Sequence, residues 1–162
     1  MRILIKKSQF KPIERTDKGY VIEFDPLAAI PEVEGREEQI TCVKAILPLS
    51  ANSDGVKAVI ASGIKKRFSN EILAGFRYDD NHFVTLSEYD QTNFSRLYAM
   101  AGLPSLYPLT INIGRSEDQH TITLADKTAF DAFITAVNTF IEGKRAECRR
   151  VLAEINWEDY EI

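Results

Sequence analysis

The sequence predicts an α+β fold. An N-terminal β segment is followed by a helix, a small β-hairpin, a short helix, a second hairpin and a long C-terminal helix. Three observations predict it. Short runs of branched and aromatic residues, broken by prolines, fill the first 49 positions. Apolar residues at helical spacing mark residues 56–73 and 130–155. Between them Leu109, Ile111 and Ile113, then Ile122 and Leu124, alternate with polar residues as strands do. The expected organisation is a β-rich segment over residues 1–50, offered as a docking module, and a helical domain with small hairpins over 51–162.

In chain order, "RILIK", "YVIEF" and "QITCVKAILPL" read as strands. Pro12, Pro26, Pro31 and Pro48 exclude a long helix here, since proline lacks an N–H and clashes with the preceding turn. The acidic "PEVEGREEQ" reads as an exposed loop. The first helix opens at Ser53 or Asp54, either of which can cap the free N–H groups of the first turn. Val56, Ile60, Ile64, Phe68 and Ile72 give it one apolar stripe. Gly63 weakens that helix by about 1 kcal/mol relative to Ala, and Gly75 suits its end.

"GFRYDDNHF", residues 75–83, concentrates groups capable of ligation or acid/base chemistry. Asp79, Asp80 and His82, with His120, would be the ligands or acid/base groups of a metal-dependent or acid/base enzyme. The same Asp-Asp-Asn run is what a hairpin turn requires, because these residues tolerate positive φ and bond their own backbone. On the turn reading, His82 opens the returning strand. A second helix, "SEYDQTNFSRLYAMAGL", places Phe94, Leu97, Tyr98 and Ala101 on one side and stops at Gly102. The second hairpin turns through polar residues that include His120, which could approach His82 only through tertiary folding.

Asp126 or Thr128 caps the last helix, which the spacing carries to about Ile155. Phe130, Ile134, Val137, Ile141, Lys144, Cys148, Val151 and Ile155 follow an alternating 4,3 spacing, broken in apolar character only by Lys144. Such a stripe either packs on its own domain or forms a seam between copies. Phe130, Ile134, Val137, Ile141 and Val151 are the candidate packing residues, and Trp157 and Tyr160 a candidate terminal contact.

Composition narrows the function classes. A net charge of −4 disfavours a nucleic-acid backbone as partner. Cys42 and Cys148 stand far apart in apolar segments, which fits free thiols in a reducing cytoplasm. No apolar run approaches the roughly 20 residues of a membrane span, and "MRILIKKSQF" is too short in apolar residues for a secretory signal. There is no nucleophile elbow, paired-Cys motif or glycine-rich phosphate loop. The expectation is therefore no enzyme, cofactor, metal, membrane, nucleic acid or small-molecule substrate.

One resemblance is specific enough to name. "GIKKRF", the helix "IKKRFSNEILAGF" leading into "FRYDDNHF", the step into "SEYDQTNFSRLYAMA", the β unit, and "ITLADKTAFDAFITAVNTFIEGKRAECRRVLAEI" occur in a definite order. This order resembles a domain of unknown function found in bacteriophage tail-fibre, tail-fibre-assembly and tail-associated proteins, over about residues 60–157. Tyr107 stands where members of that family commonly carry Trp. The resemblance implies a virion structural protein of the tail: a connector, adaptor or fibre-attachment component made in the host cytoplasm. It would pack against other tail or virion proteins as a homo-oligomer. The alternative it implies is a tail-fibre assembly chaperone absent from the finished particle. It brings no catalytic residues.

Overall fold

The computed structural model describes residues 1–33, 37–115 and 118–162. The fold is α+β, with N-terminal strands, small hairpins and, among the described residues, three helices, the last of them long and C-terminal. The chain forms two compact units: residues 1–66 with 150–162, and residues 67–149. Residues 34–36 and 116–117 lie outside the described residues, and with them part of the acidic loop and of the polar turn expected there.

In the first unit four antiparallel strands, β1 (Arg2–Lys6), β2 (Ile13–Thr16), β3 (Gly19–Ile30) and β4 (Gln39–Leu47), lie in the order β1-β4-β3-β2. The sequence reading missed β2, "IERT", because a short charged segment has little strand signal of its own. Its partner specifies it: Ile13 faces Ile22 and Thr16 faces Gly19, and the Thr16 hydroxyl donates to the Gly19 carbonyl at 2.8 Å. Pro26 was expected to separate segments, yet β3 runs through it. The register with β4 shifts between Phe24 and Leu27, Asp25 takes a positive φ of 54°, and Pro26 sits in the irregularity where no ladder N–H is needed. Arg2 fastens this bulge, pairing with the Asp25 carboxylate and donating to the carbonyls of Asp25 at 3.0 Å and Thr41 at 3.1 Å.

Helix α1 (Ser53–Ala74) carries Val56, Ile60 and Ile64 in the first unit, all buried, as are the sheet residues Ile22, Phe24, Ile40 and Cys42. Its cap is neither Ser53 nor Asp54. Asn52 accepts the Gly55 N–H through its side chain at 2.9 Å and the Val56 N–H through its carbonyl.

The second unit holds the end of α1, the two-residue strands β5 (Phe76–Arg77) and β6 (Phe83–Val84), α2 (Glu88–Met100), the hairpin β7 (Leu109–Arg115) and β8 (Asp118–Leu124), and most of α3 (Lys127–Ala153). Ser87 and Asp90 form a capping box at the start of α2, each side chain accepting the other's backbone N–H. Of the two expected caps for α3 it is Asp126 that acts, its carboxylate taking the Ala129 N–H at 2.9 Å. This helix ends at Ala153, two residues short of the expected Ile155, and is about 40 Å long. Buried Ile111, Ile113, Ile122 and Leu124 confirm the predicted alternation of the second hairpin. They join Val84, Leu86, Phe94, Leu97, Phe130, Phe133 and Val137 in one core. Phe133 is its hub, with Tyr78 and Phe94 edge-on at 5.3 Å; Phe76 stacks on Phe140 at 4.9 Å.

Candidate interaction surface

The turn at residues 79–82 is built by one carboxylate. Asp79 Oδ1 accepts the N–H groups of Asn81 and His82, both at 2.8 Å, and both Asp79 oxygens lie 2.8 Å from His82 Nδ1. The hydrogen bond from His82, helped by the Asn81 N–H, holds the Asp79 carboxyl below its ordinary range. Arg77 donates to the Asp80 carbonyl at 2.9 Å, and His82 accepts the Tyr78 N–H. His82 therefore closes the turn rather than opening the returning strand, which starts at Phe83. His120 lies not in the turn but on β8, opposite Ile113, because the ladder with β7 continues past it. Among the described residues no group of three or more His, Cys, Asp or Glu side chains is placed to hold a metal ion.

The predicted stripe of α3 divides into distinct environments. Phe130 and Val137 are buried in the core of the second unit. Ile134 and Ile141 are half-buried, packed against that core at its margin. Lys144, the break in the stripe, is explained by its partners: Glu71 Oε2 at 2.8 Å and Glu147 Oε2 at 3.2 Å, while Arg67 holds the other Glu71 oxygen at 2.9 Å. Burial alone would raise the Glu71 carboxyl, but the hydrogen bonds from Lys144 and Arg67 bring it below its ordinary value. The same bond from Glu71 raises Lys144. Within the first unit Val151 and Trp157 are half-buried. Tyr160 is buried there, in a short 3-10 turn, and its hydroxyl donates to the Glu23 carbonyl at 3.1 Å. Burial pushes that phenol up to about 12.

A groove of about 660 Å³ opens between α2 and α3. Phe94, Val137, Ile134 and Ile141 supply its apolar surface. Tyr98, expected on the inner side of α2, instead stands on the groove wall with 61% of its surface exposed. The charged rim is paired within α3: Lys127 with Asp131, and Arg145 with Glu142 at 2.7 Å. The sequence reading missed the rest of the wall, Gln91, Ser95, Thr135 and Asn138. Their signal exists only once the facing turns of α2 and α3 are known.

Comparison with protein-family models, with curated proteins and with solved structures finds no match. Among the described residues no helix is long and apolar enough to cross a membrane.

Proposed function

We propose that the protein is a structural component of a bacteriophage tail, a connector or fibre-attachment element working by protein–protein packing and not by catalysis. The observation that carries this reading is the groove between α2 and α3. The second unit fills its core with Phe94, Phe130, Phe133 and Val137, and half-buried Ile134 and Ile141, with exposed Tyr98, line a groove of mixed polar and apolar surface. A polar rim around apolar residues is the usual anatomy of a protein–protein contact. Further support is the resemblance to tail-associated proteins over about residues 60–157, whose implied order of helix, hairpin, helix, β unit and long helix matches α1, β5–β6, α2, β7–β8 and α3.

In this reading the groove is the fibre-facing surface, and the β-rich N-terminal segment docks the protein to its neighbour in a repeated assembly. It is synthesised in the host cytoplasm and retained in the virion. Mass spectrometry of purified particles and of infected-cell lysate tests this. The chain is expected in particles at a fixed ratio to tail proteins. Recovery only in lysate, bound to immature fibre protein, would replace the structural reading with a chaperone. Absence from both particles and fibre complexes would overturn both.

A further inference from the structure

We draw no further inference here: the strongest candidate, the groove between α2 and α3 with Tyr98 on its wall, belongs to the surface already described, and with its rim charges paired within α3 nothing in the structure shows what covers it.

Discussion

Gly63 shows how a residue's meaning changes once its neighbours are known. Taken alone in a helix it is a weakness of about 1 kcal/mol relative to Ala. In the structure a Cβ at this position would lie 2.6 Å from the Phe24 ring. Gly63→Ala should therefore lower stability by about 1–3 kcal/mol, as overpacking does, instead of raising it. Urea denaturation decides between the two, and a stabilised variant would show that the ring moves aside freely. Tyr160 carries a pH signature of the same local kind. Its folded-state value of about 12 lies above the ordinary 10, so its contribution is complete below pH 10 and is lost as pH rises toward 12. Tyr160→Phe should flatten that alkaline decline while removing the hydrogen bond to Glu23, a loss of about 1 kcal/mol at neutral pH. Melting curves at pH 8 to 12 would check both, the comparison resting on the figures of 10 and 12. Neither effect was legible in the sequence, where nothing relates Gly63 to Phe24 or Tyr160 to Glu23. Asp126 was legible, because a cap acts on its own first turn.

Between helices, the Lys144 network explains a break in a pattern. A 4,3 stripe keeps its spacing but loses its apolar character at Lys144, and the structure supplies the reason: Glu71 of α1 faces it, with Arg67 and Glu147 completing the charges. Glu71 titrates below its ordinary 4.5, so its contribution is present above that pH and disappears as pH falls through the lowered folded value. Lys144 titrates above 10.5, so its contribution is present below that pH and is lost as pH rises through the raised value. The stability difference between wild type and Glu71→Gln should form a plateau at intermediate pH and shrink on both sides. Thermal melts at acid, neutral and alkaline pH measure it, and a difference independent of pH would assign the effect to packing. Strands illustrate the opposite case of legibility. The alternation of β7 and β8 was clear because Ile111, Ile113, Ile122 and Leu124 are all buried on one face, whereas β2 is defined by the hydrogen bonds of β3 and left no pattern of its own. The extension of β3 past Pro26 was hidden for a related reason, since a bulge admits a proline that an unbroken ladder excludes.

At the scale of the whole molecule, the apolar residues left outside the two cores carry the functional argument. Periodicity identified which residues of α3 are apolar, and four of them, Phe130, Ile134, Val137 and Ile141, do belong to one stripe. It could not say which of the four the chain's own core would take. That depends on where α2 crosses α3, a tertiary fact, and the crossing consigns Phe130 and Val137 to the core while leaving Ile134 and Ile141 at the groove with Tyr98. A surface that works by packing also lacks the clustered acids, bases or ligands by which a catalytic site announces itself in sequence. Its test must therefore separate contact from folding. Tyr98 is the suitable probe, because most of its surface is already exposed and replacing it leaves the core untouched. Tyr98→Glu should melt like wild type yet enter virions at a level reduced roughly tenfold or more, as expected when an aromatic interface anchor worth about 2 kcal/mol is lost. Quantitative mass spectrometry of particles assembled with the variant provides the measurement. Unchanged incorporation at unchanged stability would remove the groove from the assembly contact.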